Sequence, residues 1–247
     1  RNCKTSIHRN INMGRAFEFR KARKLKRWSN MAKTFTRIGR EIVITVKEGG
    51  TDPSSNSRLR AVIQNAKNAN MPKDNIERAI KRASEKSNDD FKEILLEGYG
   101  AHGIAVLIEA ATDNNNRTVA NIRSYFNKFD GNLATSGSVE FLFYHNCYIE
   151  VSGEGIDIEE LELEFIDFGV LEVTKSDDLI TLISRFEDFG LIQKELEKRN
   201  LQIISSEFER LPKVTKNLNE EQKVKIDKLI DLIDEDDDVQ NVYTDLE

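Results

Sequence analysis

The chain has 247 residues, of which 38% are hydrophobic and 32% charged, with a formal net charge of −6. Such a balance belongs to a folded globular chain and excludes a low-complexity disordered one. No apolar run approaches the ~20 residues of a membrane-spanning helix, no signal-peptide core follows the basic start, and two cysteines (Cys3, Cys147) with three scattered histidines (His8, His102, His145) form neither a disulfide framework nor a zinc spacing.

The expectation is therefore a cytoplasmic protein with no cofactor and no small-molecule substrate. The net charge conceals a partition. Residues 1–90 carry 22 Lys+Arg against 9 Asp+Glu, whereas the remaining 157 residues carry 15 against 34. A basic module on an acidic body is the usual mark of a nucleic-acid contact surface.

Residues 1–12 have no periodic pattern and precede Met13. They read as a non-native or disordered leader, with an Arg-rich transit segment as the alternative. Residues 14–40 then place ten basic side chains against one acid, Glu18. Within them Arg15, Arg20, Lys21, Arg23, Lys24, Lys26 and Arg27 interleave with Phe17, Phe19 and Trp28. Cations neutralise phosphates, and exposed rings stack on unpaired bases.

A first helix is expected from the Ser29 cap, through Met31, Phe35, Ile38, Ile42 and Val46, to the stop at Gly49-Gly50. It contributes Lys33, Arg37 and Arg40. A second helix carries Leu59, Ile63, Ala66 and Ala69, with Arg58 and Arg60, and Asn70-Met71-Pro72 breaks it. A third, over 73–83, carries Ile76 and Ile80, with Lys73, Arg78, Lys81 and Arg82 along its polar side. The three make a small bundle over residues 13–84. Its turn Asn70, Met71, Pro72, Asp74 forms a candidate loop tip.

Beyond a polar linker the period changes. Strands are expected at 93–98 and 104–110, then a helix capped by Thr112 or Asp113 with Val119, Ile122, Phe126 and Phe129 on its apolar face. Val139, Phe141 and Phe143 alternate as a strand. From 147 onward the order strand (147–151), helix (158–168), strands (171–174, 179–184), helix (187–199), strand (201–208) is ferredoxin-like. A closing helix through Val224, Ile226, Leu229, Ile230 and Ile233 and a strand at 239–244 cannot bury a core alone. They are assigned to the same unit as the 91–134 segment. The expected architecture is α+β in three domains: the helical bundle, a discontinuous α/β domain of residues 85–136 and 212–247, and an inserted ferredoxin-like domain of residues 137–211.

Several long motifs then align in one order. Gly49-Gly50-Thr51-Asp52-Pro53, Arg58-Leu59-Arg60 and the run from Asn70-Met71-Pro72-Lys73-Asp74 to Ile80 resemble the YebC family. So do Glu97-Gly98-Tyr99-Gly100, Thr112-Asp113-Asn114-Asn115-Asn116-Arg117-Thr118, Gly137-Ser138-Val139 and the closing Asp238-Val239-Gln240-Asn241-Val242-Tyr243-Thr244. The resemblance runs from about Gly14 to the end. It implies three domains and a role in gene expression, as a DNA-binding transcriptional regulator or as a ribosome-associated translation factor that relieves stalling. The family's commoner Gly-His-Ser-Lys-Trp start is replaced by Gly14-Arg15-Ala16-Phe17-Glu18, which marks a branch.

The candidate ligand is nucleic acid, rRNA ahead of DNA, with the ribosome as partner and no metal. The acidic run Asp234-Glu235-Asp236-Asp237-Asp238 lacks regular ligand spacing and reads as a solvated turn. The 113–117 segment reads as a self-capped helix start. No G-x-S-x-G, P-loop, dinucleotide or H-E-x-x-H motif is present, so the chain reads as non-enzymatic, a carboxylate-dependent nuclease being the alternative.

Overall fold

The computed structural model describes residues 31–85, 91–153, 155–176 and 178–247. The arm with Arg15, Arg20, Lys21, Arg23, Lys24, Lys26, Arg27 and Trp28, the Ser29 cap and most of the linker lie outside the described residues.

Three helices open the described chain: α1 (Met31–Gly49), α2 (Ser57–Asn68) and α3 (Lys73–Ser84). Ile38, Ile42, Val43 and Val46 of α1 pack with Leu59, Val62 and Ala66 of α2 and Ile76 and Ala83 of α3. The second half of α1 is β-branched, Ile42-Val43-Ile44-Thr45-Val46, and buried on every side. Such a run lowers helix propensity. Tertiary packing overrides it, because α1 is wedged between its two partner helices and the body of the protein.

The α1–α2 turn hangs on one amide. Asn56 caps α2 by accepting from Leu59 N at 3.0 Å, while its Nδ2 donates to Thr45 O and Gly50 O at 2.9 Å each. A Cβ on Gly49 would lie 2.5 Å from that Nδ2, and Gly50 has φ +87°. Two adjacent glycines are thus required for different reasons, a close approach and a left-handed cap.

The first sheet has strand order β3-β1-β2-β8, all antiparallel: β1 (Lys92–Tyr99), β2 (Ala105–Thr112), β3 (Asn132–Leu133) and β8 (Val239–Thr244). One face of β2, through Val106 and Ile108, meets Ile122 and Phe126 of α4 (Asn115–Lys128) and Ile226, Leu229, Ile230 and Ile233 of α7 (Glu220–Glu235). The other, through Ala105 and Leu107, meets Val139, Phe143 and Tyr243. Burial on both faces is why β2 reads as an almost unbroken apolar run. The strand that closes this sheet, β8, follows the whole second sheet in sequence.

The second sheet has order β5-β6-β4-β7: β4 (Phe143–Ser152), β5 (Val170–Ser176), β6 (Leu179–Arg185) and β7 (Ile203–Pro212). With α5 (Ile158–Phe165) after β4 and α6 (Phe189–Lys198) after β6, the order is βαββαβ and the fold ferredoxin-like. Cys147, Ile149, Ile180 and Leu182 face Leu161, Phe165, Ile192 and Leu196 of the two helices. The fold class is therefore α+β, a helical module with two four-stranded antiparallel sheets.

The expected strand through Val139, Phe141 and Phe143 is absent. Glu140–Leu142 is a 3-10 turn, and β4 begins at Phe143. The N–H groups of Gly137, Val139 and Glu140 all donate to the Glu97 carboxylate, so they do not join a ladder. β7 runs four residues past its expected end, and the two-residue β3 is too short to carry a period. No described helix is long and apolar enough to cross a membrane.

Asn56→Ala removes a cap and the donor to two carbonyls, one of them buried. We expect a loss of about 2–3 kcal/mol, read as a lower urea midpoint with unchanged m-value.

Candidate nucleic-acid interface

The described cations of the helical module divide into two sets. On α3, Lys73, Arg78, Lys81 and Arg82 are all exposed. Lys73 pairs with its neighbour Glu77 at 3.4 Å, and Lys81 sits 4.0 Å from Glu85. Arg78 donates to Asp74 O at 3.1 Å and to the Asn75 side chain. These are local contacts along one helix and leave the basic face open to solvent. Surface pairs of this kind contribute little and yield readily to a phosphate.

The turn before α3 corrects one expectation. Met71 does not project from the tip but is 8% exposed, in the helical core beside Ile76 and Ala66. Its N–H closes on Ala66 O at 2.9 Å, and Asn70 takes the left-handed conformation, φ 58°. Asn70, Pro72 and Asp74 remain exposed, and Pro72 caps α3.

Five cations of α1 and α2 face the other way, into the acidic body, while Lys47 and Lys67 are exposed. Lys33, Arg37 and Arg40 recur at helical spacing on one face of α1. Lys33 Nζ reaches Glu235 O at 3.3 Å, and Arg37 Nη2 reaches Asp234 O at 2.8 Å. Arg40 Nη1 donates to Ala111 O at 3.2 Å and to Asp237 O, sits 3.3 Å from the Asp238 carboxylate, and its guanidinium lies 5.0 Å from the Phe91 ring centroid. On α2, Arg58 forks onto Glu93 at 2.9 and 3.0 Å and reaches Glu48 at 3.0 Å. Arg60 donates to Ser54 O at 2.9 Å and to Gln193 at 3.2 Å, and forms an ion pair with Glu197 at 2.9 Å.

The acidic run 234–238 is thus a socket and not a solvated turn. Asp238, 4% exposed, accepts from Arg117 at 2.8 Å, Thr118 at 2.7 Å and Thr112 at 3.2 Å. Burial pushes its carboxyl up, but the hydrogen bonds of Arg117 and Thr118 and the charges of Arg117 and Arg40 outweigh it and hold the group below the ordinary carboxylate range. Asp236 accepts from the Tyr125 hydroxyl at 2.9 Å. The 113–117 segment self-caps as expected, Asn114 accepting from Arg117 N at 3.1 Å. Among the described residues no group of three or more His, Cys, Asp or Glu is placed to hold a metal ion.

Between the helical module and the two sheets lies a cleft of about 640 Å³. Its edge shows contacts that the sequence pattern does not signal. Asn65 of α2 donates to Ser206 O at 2.6 Å and accepts from Ser206 N at 3.3 Å, and Asn68 donates to Ile204 O at 2.7 Å. Two side-chain amides thus cover the free edge of β7 as a neighbouring strand would. Inside the cleft, Glu41 of α1 is faced by Arg58 of α2, Glu93 of β1 and Glu109 of β2, with His145 of β4 and Glu207 and Arg210 of β7 on the remaining wall. Burial raises the Glu41 carboxyl from 4.5 to about 7. Arg58 opposes the rise, and Glu93 and Glu109 add to it. His145, stacked on Phe186 at 4.1 Å, is held down to about 4 by burial and then by Arg210 and Arg58.

The raised Glu41 value means that the folded state binds the proton more tightly than the unfolded chain. Stability from the neutral carboxyl is complete below about 4.5 and is lost as pH rises through about 7. Glu41→Gln keeps the neutral form at every pH. We expect it to match the parent near pH 5 and exceed it at pH 8 by on the order of 1–3 kcal/mol, measured by urea unfolding at both values. His145 acts in the opposite sense, and its effect cancels in that comparison.

Two family models cover nearly the whole chain. Residues 15–86 match the TACO1/YebC protein N-terminal domain, and residues 91–246 match the TACO1/YebC second and third domain. A probable transcriptional regulatory protein of Flavobacterium johnsoniae is 65% identical over 231 residues, spanning 94% of this chain and 98% of that protein. One of Parabacteroides distasonis is 55% identical over 232 residues, spanning 94% and 96%. Among solved structures, the conserved hypothetical protein Aq1575 from Aquifex aeolicus superposes with a TM-score of 0.72 at 38% identity, covering 87% of this chain and 90% of that one. With both models matched in order and relatives of this identity along almost its full length, the chain belongs to the TACO1/YebC family.

Proposed function

We propose that this chain is a non-enzymatic, cytoplasmic nucleic-acid-binding factor of gene expression, acting on the ribosome through rRNA. The observation that carries the reading is the division of the basic module. Lys33, Arg37, Arg40, Arg58 and Arg60 are engaged by carboxylates and carbonyls of the body, whereas the α3 face is left to solvent, continuous in sequence with the exposed turn at Asn70 and Pro72. In this reading residues 13–84 make the contact. Residues 85–136 with 212–247, and residues 137–211, form two supports of net acidic charge that hold the module. The arm from Arg15 to Trp28 adds sequence-independent phosphate contacts, which position the protein on its ligand. Transcriptional control through DNA is the second reading, favoured by the names of the relatives, which are called probable transcriptional regulatory proteins.

Sedimentation of cell lysate with and without nuclease separates the two. Co-migration with ribosomal subunits supports the first, and recovery of a discrete promoter fragment supports the second. At the level of residues, replacing Lys73, Arg78, Lys81 and Arg82 together with Ala should weaken binding and flatten its salt dependence. On a single strand the logarithmic slope should fall by about 0.7 for each phosphate that is no longer neutralised. Arg40→Ala should lower the melting temperature and leave the slope unchanged. Equal salt slopes for parent and α3 variant would remove α3 from the interface.

A further inference from the structure

Two sequence motifs, 97–100 and 137–139, play no part in the basic module, yet they meet in space. Glu97 lies in β1 and is 2% exposed. Its carboxylate accepts from Gly137 N at 2.6 Å, Val139 N at 2.5 Å and Glu140 N at 2.8 Å. Tyr99 donates its hydroxyl to Ser138 O at 2.9 Å, and Gly137 adopts φ +84°. Gly98 completes the arrangement, since a Cβ there would stand 2.5 Å from the Phe126 ring. A buried carboxylate is costly and is tolerated only where its hydrogen bonds are satisfied. Here the whole of that bonding is devoted to the backbone of one surface loop, which is thereby held rigid.

The loop leads directly into two exposed rings three residues apart. Phe141 is 61% exposed and Tyr144 53% exposed. The returning strand lies beside them in register, Phe143 opposite Pro212 and Tyr144 opposite Leu211, and Lys213 N donates to Leu142 O at 2.8 Å. The Lys213 ammonium is 5.1 Å from the Tyr144 ring centroid, and Val214 beyond it is exposed. The nearest carboxylate on the loop, Glu140, is engaged by Arg210 at 2.9 Å. We propose that Phe141 and Tyr144 form a stacking platform for unpaired nucleobases, with Lys213 set for the adjoining phosphate. The inference rests on the nucleic-acid reading above and adds a second contact within the acidic body.

Size and chemistry favour a base over a protein partner. Two rings, one valine and one ammonium fall far short of the roughly 800 Å² per side of a stable protein interface. Base stacking needs no larger surface and works on any sequence, because every base has a π-face. A rigid loop also loses little entropy on contact. The ammonium rests on the Tyr144 ring, so a base taking that ring finds a cation beside its own backbone. Along β7, Leu211 opposite Tyr144 lies five residues from Ser206, which Asn65 of α2 contacts. At about 3.3 Å per residue the platform stands roughly 17 Å from the bundle, a span that one single strand can cover.

The test uses the full chain and a long single-stranded RNA carrying 2-aminopurine, with a duplex of the same sequence as comparison. Binding is read by anisotropy over a salt series and stacking by 2-aminopurine quenching. Phe141→Ala with Tyr144→Ala should bind the single strand roughly tenfold more weakly per ring removed, lose the quenching, keep the parent salt slope and leave duplex binding unchanged. Phe141→Tyr with Tyr144→Phe should restore all of it. Unchanged single-strand affinity in the alanine variant, or an equal loss for strand and duplex, overturns the platform while leaving the basic module intact. Failure of the parent chain to bind either RNA overturns the rRNA reading and this inference with it.

Discussion

The carboxylate of Asp238 is the point on which the rest of the molecule depends. It receives Arg117 and Thr118 from α4, Thr112 from the end of β2 and Arg40 from α1. One side chain therefore ties the helical module to the first sheet and to the turn that admits the last strand. Buried charge of this kind adds little net stability over an apolar contact, but losing one partner strands the others. Its effect is on geometry: β8 enters beside β2 with Ala111 N donating to Asp238 O at 2.8 Å, and α1 meets the body at one place.

The charge partition takes on a different meaning in this light. A strongly basic segment next to an acidic body suggests a ligand outside the protein. Much of that complementarity is satisfied inside it. Arg37, Arg40, Arg58 and Arg60 are each held by carboxylates or carbonyls of elements far away in sequence. These contacts are partly shielded from water and polydentate, so a phosphate would have to displace several bonds to capture one guanidinium. The helix turned away from the body, α3, keeps Lys73, Arg78, Lys81 and Arg82 in solvent, and this is a consequence of how the bundle docks.

The same docking produces the cleft. Three units that meet along amide, guanidinium and carboxylate contacts leave space at their junction, and the space collects ionisable groups. Glu41 is raised because burial leaves it among Glu93 and Glu109 with Arg58 already forked elsewhere. The junction is therefore softer towards pH than the cores of the two sheets, which are closed by aliphatic side chains.

Local structure is legible in the chain wherever one period dominates. The helices of the basic module, the βαββαβ order and the closing helix and strand follow from spacing and turn residues, because burial on one face leaves a repeat in the chain. The family is legible too, in the order of the long motifs. What individual polar residues do is not legible, and emerges only from the docked fold. Val139, Phe141 and Phe143 alternate like a strand, yet Glu97, forty residues earlier, captures the backbone and turns it. Met71 looks like a displayed tip and is a core plug. The run 234–238 looks like a solvated turn and is a socket. Hydrophobic burial is set by averages over neighbours and so can be read in one dimension. A hydrogen bond or ion pair depends on which two elements come within about 3 Å, and that is settled only when the units dock.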